Sequence, residues 1–339
     1  MIKWYEKSGA EGDTVISTRL RLARNLQEYP FPCKLNTEQR QKVEQMVKDA
    51  VIECSEVLGT PFHFLNMEQL SQTQAVSLVE RHLVSPEFIS DRSGRGLMLS
   101  EDESICIMIN EEDHLRIQVL REGLNLKEAY EQADKLDTLL NERLHFAFNE
   151  NLGYLTQCPT NLGTGMRASL MLHLPALQES GAMGRISANL SKLGLAIRGT
   201  YGEGTEPVGA MYQLSNQVTL GLSEQEAIKN LSSIAMQLIK QERAARENLV
   251  KNIETQDAIC RSIGILKNAR LLSNQEFMKL ISNVRLGIAM GLITNINYDT
   301  LNSLMTQVQP ATIMMIEKEK MTPAQRDARR AQIVSERLK

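Results

Sequence analysis

Two kinds of periodicity divide this chain and bound its fold. Up to about residue 220, segments with the two-residue alternation of strands are interleaved with segments of helical spacing. Beyond Gly221 only helical spacing remains. Residues 17–24 alternate, with Arg19 and Arg21 on one side and Leu20 and Leu22 on the other. The run Asn36, Thr37, Glu38, Gln39 is a capping box, and Val43, Met46, Val47, Ala50, Val51, Cys54 and Val57 then recur at helical spacing. The apolar runs 97–99 and 105–109, split by a polar stretch, predict a hairpin. Residues 127–146 predict an amphipathic helix, and 169–174 a strand stopped by Pro175. Residues 195–198 and 211–214 predict strands on either side of a glycine-rich loop, 199–209. The expected fold class is therefore α+β, a largely antiparallel sheet flanked by helices and followed by an all-helical region. In that region a helix capped by Ser223 runs toward Cys260, and further helices cover 274–292, 298–308 and 323–338. A boundary between residues 245 and 255 gives two expected domains, 1–250 and 251–339.

Composition excludes several classes. With 42% hydrophobic and 23% charged residues and a net charge of −3, the chain has the make-up of a globular protein. It lacks the basic excess of a general nucleic-acid binder, and no apolar stretch is long enough for a membrane helix. The five cysteines (Cys33, Cys54, Cys106, Cys158, Cys260) contain no C-x-x-C pair, so neither a disulfide framework nor a zinc site is expected. With no signal-peptide pattern at the start, a reduced, cytoplasmic protein is expected.

Chemistry concentrates in four segments. Residues 153–167 (GYLTQCPTNLGTGMR) bring a thiol, Cys158, a turn built on Gly163 and Gly165, and Arg167 within a short span. Arg19, Arg21, Arg116, Arg167 and Arg198 each end a strand-like segment or adjoin a glycine turn; forked guanidinium donors of this kind suit phosphate oxygens. Any one of them alone is better read as a surface charge, and the set carries more weight than its members. Residues 110–116 (NEEDHLR) place carboxylates at a strand end, where they can take a proton or orient a cation. Glu203 stands alone among glycines in 198–206 (RGTYGEGTE), the composition of a loop that closes on a ligand. The usual P-loop, protein-kinase and Rossmann signatures are absent.

Taken in order, STRLRLAR, NEEDHLR, CPTNLGTGMR and RGTYGEGTE resemble the ATP:guanidino phosphotransferases, the superfamily of creatine and arginine kinases. Few residues precede the first motif, where phosphagen kinases carry a helical domain, and a helical C-terminal region holds R-D-x-x-R-A at 326–331. Both features resemble the bacterial protein-arginine kinases. The resemblance implies a glutamine-synthetase-like catalytic domain and ATP-dependent phosphorylation of arginine side chains in proteins. It makes Arg19, Arg21, Arg116, Arg167 and Arg198 the clamp on the ATP phosphates and His82 an adenine-stacking residue. Glu112 and Glu203 would grip the acceptor guanidinium, Glu112 as base, with Cys158 beside it. Arg326, Asp327 and Arg330 would dock phosphoarginine. It also implies Mg²⁺ carried by the nucleotide phosphates and no dedicated metal site, and a homodimer formed through the helical domain. An activator subunit, a transcriptional repressor and Clp protease machinery are implied partners, in stress response and protein quality control, with no direct nucleic-acid or membrane contact. Tyr201 stands where small-molecule arginine kinases carry arginine, which disfavours free arginine as substrate. The competing readings are a kinase of a free guanidino compound and an inactive phosphoarginine-binding regulator.

Overall fold

The computed structural model of the chain describes residues 2–199 and 207–339. Its strands are β1 (Val15–Arg24), β2 (Phe62–Asn66), β3 (Gly96–Ser100), β4 (Ile105–Ile109), β5 (Leu115–Glu122), β6 (Phe148–Asn149), β7 (Gly153–Tyr154), β8 (Met166–His173), β9 (Leu195–Gly199) and β10 (Met211–Asn216). Its α-helices are α1 (Thr37–Leu58), α2 (Gln72–Glu80), α3 (Pro86–Ser90), α4 (Leu126–Leu144), α5 (Pro175–Glu179), α6 (Met183–Lys192), α7 (Glu224–Leu249), α8 (Ile253–Asn268), α9 (Asn274–Ala289), α10 (Tyr298–Gln307), α11 (Pro310–Glu317) and α12 (Pro323–Arg337).

Eight strands form one antiparallel sheet in the order β2-β3-β4-β5-β1-β8-β10-β9. Alternation gives its two faces different fates. Leu20, Leu22, Ile107, Ile117, Val119, Ala168, Leu170 and Leu214 point to one face, where α1, α4 and α7 cover them with Val47, Val51, Ala133, Leu136, Leu140, Leu231 and Ala235. On the other face, Leu97, Leu99, Cys106, Met108 and Leu120 are sealed by Trp4, Met67, Leu78, Leu83 and Phe88, but only toward the β3–β4–β5 side. The rest of that face, centred on β1 and β8, carries Arg19, Arg21 and Arg167. A slip of one residue would bury those arginines among α1, α4 and α7, so the apolar pattern that fixes the register also fixes the site.

The helices after α7 build a second apolar cluster around Leu266, Leu272, Phe277, Ile281, Val284, Leu301, Leu304, Ile313 and Val334. They are anchored to the sheet region by polar contacts. His173 Nε2 lies 2.8 Å from Ser282 Oγ, Asn302 Nδ2 donates to the Lys7 carbonyl, and both Glu80 carboxylate oxygens accept backbone N–H groups at the start of α11.

The expected α+β architecture is the observed one, and the capping box at Asn36 opens α1 as the sequence predicts. The helical pattern read from Ser223 toward Cys260 is two helices. The first ends at Leu249, and Asn252 caps the second by accepting from the Glu254 N–H, a role asparagine fills better than a place inside a helix. Residues 310–317 form α11, where the sequence reading placed no element; Pro310 starts it at a position that needs no N–H.

Candidate active site

Register gathers the arginines. Arg21 on β1 lies opposite Arg167 on β8 and Gln118 on β5, and Ala23, two residues on, lies opposite Arg116. At the far edge Arg198 on β9 pairs with Gln213 on β10, whose Oε1 accepts from Arg19 Nη2 at 2.8 Å. Strand alternation therefore puts five arginines from four strands on one face.

That arrangement is electrostatically uncomfortable without an anion. Burial pushes the Arg19 guanidinium down to about 10; Cys106 opposes this, and the nearby charge of Arg116 adds a smaller push downward. Arg21 is held well below the usual arginine range by burial and then by the charges of Arg19, Arg116 and Arg167. The Nε atoms of Arg21 and Arg167 are buried and have no hydrogen-bond partner among the described residues. Buried, unpaired, mutually repelling donors make a site for a polyanion.

The acidic loop lies at one end of this face. Asn110 turns the chain with φ of 61°, and its amide donates to the Arg40 and Gly94 carbonyls. Arg116 is held between two carboxylates, 2.8 Å from Glu111 Oε2 and 3.0 Å from Glu112 Oε2. Glu111 is sunk, with a side chain 5% exposed that also accepts from the Ser85 hydroxyl; Glu112, at 35%, faces the open side.

Cys158 sits across from this loop and is half-buried. Its Sγ lies 3.1 Å from Thr160 Oγ1, and its carbonyl accepts from the Thr156 hydroxyl. The two glycines that follow are obligatory. Gly163 has φ of 109°, and a Cβ there would meet the Thr219 carbonyl oxygen at 2.1 Å. Gly165 has φ of 61°, and a Cβ there would strike Arg24 and the Ala23 carbonyl. Only glycine lets this loop lie against β1.

His82 follows α2 in a left-handed conformation, φ 62°, and Gln118 Nε2 donates to its carbonyl at 2.9 Å. His82 is exposed at the edge of the arginine face. Its neighbours, with the charge of Arg19, hold the imidazole below its ordinary range, which favours a neutral ring at pH 7. Glu203 and Tyr201 lie outside the described residues.

The R-D-x-x-R-A segment lies on α12, remote in sequence and element from these groups. Arg330 is buried and spends its donors internally, to the Val308 and Leu272 carbonyls at 2.9 and 2.7 Å and to Asp327 at 2.6 Å. Arg326 and Asp327 are half-buried one turn earlier.

Sequence reasoning did not single out Glu111, Asp113, Asn25, Gln118 or Gln213. Glu111 and Asp113 were inside the acidic run but indistinguishable there from Glu112. Gln118 and Gln213 carried a usable signal: each stands between two large apolar or aromatic residues of its strand, Ile117 and Val119 or Tyr212 and Leu214.

His114 supplies a test of stability. It is fully buried, its Nδ1 accepts from the Leu26 N–H at 3.0 Å, and burial pushes it down from 6.5 to about 4. The folded chain thus binds fewer protons here than the unfolded chain. The resulting stability is complete above 6.5 and is lost as pH falls toward 4, by about 3 kcal/mol in full. Urea midpoints are expected to drop over that interval by a smaller amount in His114→Gln than in the native chain. Equal drops in both would contradict this assignment.

Comparison with known proteins agrees with the geometry. The family model of the ATP:guanido phosphotransferase C-terminal catalytic domain matches residues 42–245, and that of the protein-arginine kinase McsB C-terminal domain matches residues 252–339. The chain belongs to the ATP:guanido phosphotransferases and, within them, to the group that carries this C-terminal domain. The catalytic-domain match begins after Arg19 and Arg21. The protein-arginine kinase of Halothermothrix orenii is 45% identical, covering 99% of this chain and 96% of its own, and that of Pelotomaculum thermopropionicum is 46% identical, covering 98% and 94%. Among solved structures, lombricine kinase superposes with a TM-score of 0.63 at 28% identity, covering 71% of this chain and 69% of that one. The duplicated taurocyamine kinase of Schistosoma mansoni, with bound transition-state-analogue components, gives 0.62 at 31% identity. That match covers 68% of this chain and 33% of the duplicated chain.

Proposed function

We propose that this enzyme transfers the γ-phosphoryl group of ATP to a guanidinium nitrogen of arginine side chains in other proteins. The observation that carries the reading is the set of arginines on one sheet face, with buried unpaired donors, meeting Glu112 and the Cys158 loop at its edge. Arg19, Arg21, Arg116, Arg167 and Arg198 take the phosphates. His82 stacks on the base in this reading. Mg²⁺ would be carried by the nucleotide phosphates and supply charge neutralisation there; among the described residues no group of three metal-ligating side chains is found.

A guanidinium is a poor nucleophile, because its lone pairs are delocalised and it stays protonated (pKa above about 12). One nitrogen must be turned toward the γ-phosphorus and lose a proton as the N–P bond forms and the bond to the ADP oxygen breaks. Glu112 accepts that proton and, with Glu203, fixes the plane of the group. Cys158 lines the same acceptor position. Since little covalent chemistry falls to the protein, positioning and charge supply the rate. The 3.0 Å pair of Arg116 with Glu112 ties the phosphate clamp directly to the acceptor holder.

Residues 1–250 form the catalytic unit in this reading, and 251–339 a docking and dimerisation unit. There Arg326 and Asp327 meet phosphoarginine while Arg330 frames them from inside. The same reading makes the enzyme cytoplasmic, active in stress response and protein quality control, and open to an activator subunit. Among the described residues no helix is long and apolar enough to cross a membrane.

The test is mass spectrometry at neutral pH after incubation with ATP, Mg²⁺ and an arginine-rich protein, in parallel with free arginine. Phosphorylated arginine in the protein alone is expected. Transfer only to the free amino acid would replace this reading with the small-molecule one.

A further inference from the structure

The acceptor side of the site is assembled from three separate loops, and one buried pair joins all of them. Asn25 stands at the exit of β1, the strand of Arg19 and Arg21. Asp113 follows Glu112. Both are buried, Asn25 at 2% and Asp113 at 1% exposure. Asn25 Nδ2 donates to Asp113 Oδ1 at 2.6 Å and to the Leu155 carbonyl at 3.0 Å, and Asn25 Oδ1 accepts from the His114 N–H. Asp113 Oδ1 also accepts from the Gln157 N–H at 2.8 Å, the residue before Cys158. The side-chain amide of Asn25 thus works entirely between the Glu112 loop and the Cys158 loop.

Stability alone does not account for a carboxylate at 113. Its Oδ2 is buried with no hydrogen-bond partner among the described residues. Burial pushes the group up, against the pull of the Gln157 N–H and Asn25. An incompletely compensated buried charge costs stability. What the position gains is geometry: both bonds to Oδ1 run between loops, and neither belongs to a helix or a sheet ladder.

We propose that Asn25 and Asp113 are positioning residues that set the Cys158 thiol against the Glu112 carboxylate and hold both in register with the arginine strand. This rests on the roles proposed above for Glu112 and Cys158. The working atom is Oδ1 of Asp113 as a double acceptor, so asparagine at 113 serves as well, with its amide nitrogen in place of the unpaired Oδ2.

The test uses the full chain with Asn25→Ala, Asp113→Ala, Asp113→Asn and the double alanine variant. Three quantities are read: kcat for a protein substrate, KM for ATP, and the rate of Cys158 alkylation by iodoacetamide followed by peptide mass spectrometry. Either alanine change is expected to lower kcat by about 10- to 100-fold, as loss of an orienting partner does elsewhere. The ATP KM should stay within about threefold, and the Cys158 alkylation rate should shift severalfold. The double variant should be no worse than the worse single one, because both remove the same link. Asp113→Asn should restore kcat and alkylation. An alanine variant with native kcat and native alkylation would overturn the proposal, and so would an asparagine variant as impaired as alanine.

If the alanine variants do not fold, Asn25→Asp keeps the acceptor for the His114 N–H but sets a carboxylate oxygen against Asp113 Oδ1 and the Leu155 carbonyl, so it should lower kcat and shift Cys158 alkylation in the same way. Native kcat and native alkylation in that variant would overturn the proposal equally. Glu112→Gln and Cys158→Ala serve as controls: full turnover in both would sink the functional roles, while Cys158 alkylation in the Asn25 and Asp113 variants would still report on the loop.

Discussion

Replacing Glu112 by glutamine is expected to cut kcat by about a thousandfold, within the range found for loss of a general base, and to leave ATP affinity within about threefold. The substitution keeps size and removes a charge. The acceptor guanidinium loses its proton acceptor and half of its carboxylate grip, whereas Arg19, Arg21, Arg167 and Arg198 are untouched. Arg116 would lose its 3.0 Å partner but keep Glu111 at 2.8 Å, so it stays in place for the phosphates. Single-turnover phosphorylation measures the first quantity and calorimetric nucleotide titration the second. Native turnover in this variant would remove Glu112 from the role of base. Lost turnover together with lost nucleotide binding would move it into the clamp.

The second large effect concerns Arg21, the most crowded cation on the sheet. Arg21→Met is expected to lower kcat/KM for ATP by about a thousandfold, the scale of removing a preorganised charge partner from a desolvated site. The same change should raise the thermal midpoint of the nucleotide-free chain, because it deletes a buried charge repelled by Arg19, Arg116 and Arg167. The opposite signs of the two effects distinguish a functional charge cluster from a structural one. In the native chain, ATP should raise the thermal midpoint by mass action, and in the variant that rise should largely vanish. A destabilised nucleotide-free variant would mean that Arg21 holds the fold together.

The fold was legible wherever local pattern and tertiary environment agree. Residues 17–24 alternate because one face of β1 is sealed by helices and the other is polar, so the arginine face could be read directly from the strand. The limits were equally physical. Asn252 ends one helical run and caps the next, a break that apolar spacing does not record. Residues 310–317 form a helix largely because Glu80, far away in sequence, satisfies the N–H groups at its start. In the site, sequence distinguishes residue types but not partners. Arg330 matches a docking motif, and the sequence does not show that its Nε and Nη1 donate to the Val308 and Leu272 carbonyls. Asp113 looked like one more acid in a cluster, yet it is the buried member that binds a loop 44 positions away.

The most direct measurement is ³¹P nuclear magnetic resonance of a protein substrate after incubation with this enzyme, ATP and Mg²⁺ at neutral pH. A phosphoramidate resonance that disappears on acidification, and that stays undetected over the same incubation with Glu112→Gln or Arg21→Met, is the predicted result. A phosphomonoester resonance that survives acid, or an unchanged phosphoramidate signal in both variants, would contradict the account.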